Sequence, residues 1–191
     1  MKLNVRHLAI VAILLVSAIG FGFAFDAIAT AIERANHPRP EKIAESVRQN
    51  AEEFGIPEAV LWAVAKIESE FESDAVGEDG GIGLMQIPPA RLSMICTELL
   101  GVEPHKEGML YEPATNLQCG AAYLSHLYQR FGDWDTVFAA YSAGEETVDQ
   151  WLKNADCTDE LGRLKRIPDR DTEKYVKKVS KAFSLYTKLY Y

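Results

Sequence analysis

Three short segments hold residues whose types and spacing could do chemistry. The first runs from Pro57 to Phe71. At about 100° per residue, Val60, Leu61, Val64, Ile67 and Phe71 gather on one side of a helix, and Glu68 falls within about 40° of the centre of that group. Glu70 lies about 120° away and Glu72 about 80° away, so Glu70 reads as an ordinary solvated charge. An ionised carboxylate aimed at an apolar side is costly unless paired, so the Glu68 pKa is expected to rise. That suits a general acid working near neutral pH. From periodicity alone a second reading stands equal to it, in which Glu68 sits at the edge of the stripe and pairs with a distant arginine as a structural group. The second segment packs Gly77, Gly80, Gly81 and Gly83 ahead of Leu84-Met85-Gln86-Ile87-Pro88-Pro89. Glycines let a backbone approach a ligand, and Gln86 offers donor and acceptor together. A surface loop would read the same way, and a phosphate-binding loop is excluded because no Gly-Lys-Ser/Thr follows. The third segment is Ala139-Ala140-Tyr141-Ser142-Ala143-Gly144. Its small residues leave room beside the Tyr141 ring, although a tyrosine serving only the core is the default there.

The elements that must position these residues read as helices. Ile43, Val47, Ala51 and Phe54 form one stripe, closed by Gly55. Pro57 sits where a first-turn proline belongs, and the helix it opens is expected to reach about Phe71. Shorter helices are expected over Ala90–Leu100 and Thr115–Phe131, then a pair over Trp134–Ala143 and Glu145–Leu152. A last helix begins near Asp171, with Tyr175, Val179, Ala182, Phe183, Tyr186 and Leu189 or Tyr190 turned inward. No alternating strand pattern and no repeat interrupts this series, so the fold class is all-α, with irregular structure around the glycines.

An N-terminal hydrophobic helix precedes that domain. Lys2, Arg6 and His7 lead into an apolar run from Leu8 to Phe25. This is the arrangement of an export signal. The run also reaches the lower length limit of a spanning helix. Ala27-Ile28-Ala29 offers a small-x-small cleavage site. Residues 1–29 therefore read as a signal peptide or a membrane anchor, residues 30–40 as a linker built on His37-Pro38-Arg39-Pro40, and residues 41–191 as the catalytic domain. In the anchor reading, residues 8–25 associate with the membrane. Either way the domain lies outside the cytoplasmic membrane, in the periplasm or beyond it.

Composition sets the outer bounds. The chain has 191 residues, 48% hydrophobic and 25% charged, which is ordinary for a globular domain and argues against disorder. Its 28 acidic against 20 basic residues give a net charge of −8, which argues against a nucleic-acid partner. Cys96, Cys119 and Cys157 are too few for a disulfide scaffold and too irregular for a zinc site, and their pairing is left open.

Taken in order, the three segments resemble the lytic transglycosylase family of the soluble (SLT) type, a goose-type-lysozyme-like group. The matching pieces are Ile67-Glu68-Ser69, Gly81-Ile82-Gly83-Leu84-Met85-Gln86, and Pro113 through Asn116-Leu117 with Gly120 and Tyr123-Leu124. Ala139 to Gly144 follows, then Ile167-Pro168 with Thr172-Glu173-Lys174-Tyr175-Val176. The resemblance implies a lysozyme-like helical fold. It also implies cleavage of the β-1,4 bond between N-acetylmuramic acid and N-acetylglucosamine in peptidoglycan glycan strands, leaving 1,6-anhydro-muropeptides. By that matching Glu68 is the catalytic acid and base, and Met85 through its backbone, Gln86, Tyr141 and Ser142 bind substrate. No metal and no organic cofactor is implied. A lysozyme-type muramidase that hydrolyses the bond and a non-catalytic peptidoglycan-binding scaffold are the alternatives. Three positions depart from the family pattern: Gly77 where serine is usual, Ser142 for asparagine, and Lys165 for glutamate. Whether such an enzyme serves wall turnover or an envelope machine stays open.

Overall fold

The computed structural model describes residues 5–191, with side chains from Leu14 onward except at positions 15, 16, 18 and 19. Lys2, read above as part of the positive leader, lies outside the described residues, as do the side chains of Arg6 and His7. The chain divides into two units, residues 1–38 and residues 39–191. The first contains one helix, α1 (Val5–Asn36). It continues through residues 30–36, assigned above to the linker, and the non-helical connection is confined to His37–Pro40. Alanine favours helix across Ala27–Ala35. The first residue that must leave it is His37, because Pro38 follows. Phe21, Phe23, Phe25, Ile28 and Ile32 are all more than half exposed. Among the described residues no helix is long and apolar enough to cross a membrane.

The second unit is all-α: α2 (Glu41–Phe54), α3 (Glu58–Ser69), α4 (Pro89–Met94), α5 (Pro113–Phe131), α6 (Trp134–Ala143), α7 (Glu145–Leu152) and α8 (Arg170–Tyr190). Among the described residues no strand forms, only isolated bridges such as Val76–Ile82 and Ile82–Ile87. The boundaries follow local chemistry. Gly55 closes α2 in the left-handed conformation. Asp133 caps α6 by accepting from the Thr136 N–H, and Asp169 caps α8 by accepting from the Thr172 N–H at 2.7 Å.

The central element is α3. It packs against α2, α5 and α8, and the seven consecutive residues from Ala59 to Ala65 are all buried. The one-sided stripe read from the sequence therefore understates it, since a helix apolar all round belongs inside a core. Polarity returns only in its last turn, and Glu68 stands there. On α8 the buried row is Thr172, Val176, Val179, Ala182, Tyr186 and Leu189. Val176 takes the inward place expected of Tyr175, which is half-buried and turned elsewhere.

Three local outcomes differ from expectation. The segment expected as one helix over Ala90–Leu100 starts as α4 and continues as a π-helix over Ile95–Leu100. A 3-10 helix over Glu107–Tyr111 had no sequence signal. Finally, α3 stops at Ser69, because Glu70 and Phe71 both take positive φ (51° and 71°). That reversal drops the Phe71 ring back into the core, edge-on to Trp62 at 6.0 Å. The three cysteines are free and buried. Burial, with Cys96 beside it, pushes the Cys119 thiol up to about 12, which fits packing rather than nucleophilic work.

Candidate active site

The reversal after α3 builds the site. The chain leaves the helix, crosses the glycine-rich stretch and returns at Gln86, which also takes positive φ (49°). Three non-glycine residues in the left-handed region within 17 positions hold conformational strain that the surroundings must offset. Several hydrogen bonds do so. The Ser69 hydroxyl lies 2.9 Å from the Leu84 carbonyl and 3.1 Å from the Ala65 carbonyl, donating to either. Buried Asn116 uses its whole amide: Oδ1 accepts the Met85 N–H at 2.7 Å, and Nδ2 donates to the Ile82 and Leu110 carbonyls at 2.8 Å each. Gly83 makes this possible. Its φ is +76°, and a Cβ there would stand 2.4 Å from Asn116 Nδ2 and from the Leu110 carbonyl oxygen.

Above this floor opens a cleft of about 290 Å³, lined by Glu68, Asp79, Gln86, Ile87, Pro88, Arg91, Ile95, Tyr123, Tyr141, Ser142 and Tyr175. Glu68 enters from the end of α3. Its Oε1 accepts a 2.5 Å hydrogen bond from the Tyr175 hydroxyl of α8. Among the described residues Oε2 has no protein partner. Burial pushes the carboxyl up to about 7, the Tyr175 hydrogen bond pulls it back, and the negative charge of Asp79 raises it. The Tyr175 hydroxyl itself is held well above the usual tyrosine range by burial and by the charge of Glu68. Among the described residues no arginine pairs with Glu68.

The other expected site residues divide. Gln86, Tyr141 and Ser142 line the same cleft. The Gln86 amide nitrogen donates inward, to the Ala75 carbonyl at 3.2 Å and the Gly83 carbonyl at 2.9 Å. Its oxygen lies over Gly77 and Gly81, where a Cβ would stand 2.6 Å and 3.1 Å from it. Tyr141 is buried and donates its hydroxyl to the Met85 carbonyl at 2.6 Å. Met85 itself does not reach the cleft. It is fully buried, and Asn116 and Tyr141 already occupy its N–H and carbonyl. Its part is to carry the floor on which Tyr141 rests.

Sequence reasoning missed four groups. Tyr175 was placed in the core stripe of α8. Asp79 was given no role. Arg91 drew no attention and Tyr123 entered only as a piece of the family match, yet the Arg91 guanidinium sits 5.1 Å over the Tyr123 ring and donates to the Tyr141 carbonyl at 3.4 Å. It is the one cation among the cleft-lining residues. Two departures from the family pattern also find their place. A Cβ on Gly77 would meet Gln86 Oε1 at 2.6 Å and Asp79 Oδ1 at 2.8 Å, so the room that a serine would use is taken by those two side chains. Lys165 is not among the cleft-lining residues and borders a separate cavity.

The family model for the transglycosylase SLT domain matches residues 45–161, and the chain belongs to that family. The soluble lytic murein transglycosylase of Escherichia coli K12 is 34% identical over 128 residues, covering 65% of this chain and 20% of that protein. The membrane-bound lytic murein transglycosylase C of Haemophilus ducreyi is 28% identical over 173 residues, covering 78% of this chain and 46% of its own. Among solved structures, the 70-kDa soluble lytic transglycosylase of E. coli superposes with a TM-score of 0.72 at 28% identity, over 82% of this chain and 25% of the other. The chain thus spans about a fifth of the length of the soluble relatives it matches.

Proposed function

We propose that the protein is a peptidoglycan lytic transglycosylase with Glu68 as its single catalytic residue. The observation that carries this reading is the state of that carboxyl. Oε1 is fixed by Tyr175, Oε2 has no protein partner in the cleft, and a pKa of about 7 keeps much of it protonated at neutral pH. Oε2–H donates to the glycosidic oxygen, and the C1–O bond breaks. The N-acetyl carbonyl of the substrate stabilises the positive charge developing at C1. The Glu68 carboxylate then accepts the proton of the muramic acid C6 hydroxyl, and that oxygen closes on C1. The proton given in the first step returns in the second, so the residue ends as it began, and the product is a 1,6-anhydro sugar. The relatives' names support the substrate, and one similar structure, from Pseudomonas aeruginosa, is that of an inactive glutamate-to-glutamine mutant of the lytic transglycosylase Slt.

Glycosidases that hydrolyse this type of bond ordinarily need a second carboxylate. Asp79 is the only other carboxylate among the lining residues, and its Oδ1 already accepts the Gly81 N–H at 3.2 Å. This favours the intramolecular route over a muramidase. In the cleft, Gln86 supplies an acceptor and Ser142 a hydroxyl to the substrate, and Tyr141 a ring face. The membrane-bound relative suits an extracytoplasmic setting, with residues 8–25 as export signal or anchor. The test is the Glu68→Gln variant on purified sacculi, read by product mass spectrometry. Wild type should release anhydro-muropeptides and the variant none, a loss of about 10³-fold or more. Reducing-end products from wild type would make it a muramidase, and activity retained in the variant would remove Glu68 from its role.

A further inference from the structure

A second cavity, of about 250 Å³, lies against α8 and is lined by Asp135, Leu164, Lys165, Arg166, Ile167, Glu173, Val176 and Lys177. Its charges are not evenly engaged. Glu173 is bridged by Lys177 at 2.7 Å, and Asp135 accepts the Ser180 hydroxyl at 2.5 Å. Among the described residues Lys165 and Arg166 have no ion pair within 4 Å and no side-chain hydrogen bond. They also project from an anchored loop. The Cys157 carbonyl accepts from both of their backbone N–H groups, at 2.9 Å and 3.3 Å, and Leu164 N–H donates to Thr136 Oγ1 at 3.2 Å. Two open cations are thus presented in a fixed place beside the apolar side chains of Leu164, Ile167 and Val176.

The wider charge pattern agrees. Residues 163–181 carry eight Lys/Arg against three Asp/Glu, whereas the rest of the chain carries 12 against 25. The basic residues of this acidic chain are therefore concentrated in one stretch, the loop before α8 and its first half. That stretch shares α8 with the catalytic cleft: Tyr175 reaches Glu68 on one side of the helix, and Glu173, Val176 and Lys177 wall the cavity on the other. About one helix diameter, 10–12 Å, separates them.

We propose that this cavity is a subsite for the carboxylates of the peptides borne by the glycan strand. The proposal rests on the function argued above. A peptide extends by about 3.3–3.6 Å per residue, so a few residues suffice to span this distance from a strand bound at Glu68. The cavity is slightly smaller than a drug-sized pocket of about 300–1,000 Å³, so it fits a peptide end or side chain rather than a polymer. Two cations with apolar walls match a carboxylate on an aliphatic peptide. Lys165 stands where the family pattern has glutamate, so the subsite would be particular to this chain.

The experiment compares two ligands with the full chain. Sacculi are used intact or stripped of peptides by an amidase, and binding is measured in the Glu68→Gln background with and without Lys165→Glu and Arg166→Glu. The double reversal should weaken binding to intact sacculi about tenfold at low salt and leave stripped glycan within about twofold, and the difference should shrink at high salt. Lys165→Arg with Arg166→Lys should restore most of the loss. Equal loss on both ligands overturns the proposal, as does a loss confined to vesicles of phosphatidylglycerol. Circular dichroism of each variant separates misfolding from lost binding. The Glu68 reading fails separately, by the absence of anhydro products from wild type acting on either ligand.

Discussion

The two sides of α8 solve opposite electrostatic problems. On one side a single carboxyl is sunk among Tyr175, Tyr141 and the end of α3, with no cation paired to it. On the other, Lys165 and Arg166 stand exposed at the rim of an open cavity. The same unit charge means different things in the two places. Near the surface, water and salt screen it, and several charges are needed for a modest effect. In the cleft, removal from water alone moves the Glu68 pKa by more than any neighbouring charge does. One well-placed acid in the interior therefore governs the chemistry, and the basic stretch can govern only how a strand is held.

The largest test of that contrast is the pH dependence of stability. The carboxyl titrates near 4.5 when unfolded and near 7 when folded. Between these values the folded state binds the extra proton, so this group stabilises the fold fully below pH 4.5 and loses that contribution as pH rises through 7. Glu68→Gln removes the titration. The variant should match wild type near pH 4.5 and exceed it at pH 8 by about 2–3 kcal/mol in denaturant unfolding. Equal stability at both pH values would place Glu68 in water, like Lys165, and the contrast would collapse. The cleft floor should be nearly as sensitive. Gly83→Ala adds a Cβ at positive φ against Asn116 and the Leu110 carbonyl, and should cost about 2–3 kcal/mol. A melting temperature within a degree of wild type would mean that the Asn116 amide is not what holds the floor.

Much of this was legible in the sequence, and the unreadable parts share a cause. The helices over 41–54, 134–143 and 145–152 follow from local stripes and from Gly55, Asp133 and Gly144 at their ends. Glu68 stands out because it falls on the apolar side of its helix, a property of one short segment. Tyr175 does not stand out, because its partner is 107 residues away and its spacing fits a core stripe equally well. Arg91 and Tyr123 are joined only across the cleft. The stop after Ser69 was hidden for another reason: Glu70 and Phe71 adopt the left-handed conformation without being glycine, and the surroundings impose it. The burial of the Met85 side chain was hidden too, because it packs against Gly120, 35 residues further along the chain.

Removing the Tyr175 hydroxyl tests how the interior carboxyl is held. In Tyr175→Phe, Glu68 loses the hydrogen bond that favours its ionised form, so its pKa should rise and the alkaline limb of kcat should move to higher pH. Oε2 also loses its fixed direction, so kcat should fall about tenfold with KM nearly unchanged. An unshifted limb with the same fall in kcat would make Tyr175 a packing residue only.

The smallest effect is expected at Asp79, and its direction is the most informative. Asp79 is exposed and lines the cleft, and its negative charge raises the Glu68 pKa after burial has done most of it. Asp79→Asn keeps an oxygen for the Gly81 N–H and removes the charge. The Glu68 pKa should then fall and the alkaline limb should move to lower pH, opposite to Tyr175→Phe, costing about threefold in rate at pH 8. Because Asp79 is exposed, this shift should fade as salt is raised, whereas the Tyr175→Phe shift should not. Loss of all activity in Asp79→Asn would be a different result. It would make Asp79 the second carboxylate of a hydrolase, and the product should then carry a reducing end. Opposite shifts, one of them salt-sensitive, would show that both regimes meet in this cleft: a proton held by the interior, and a charge at its mouth that water can screen.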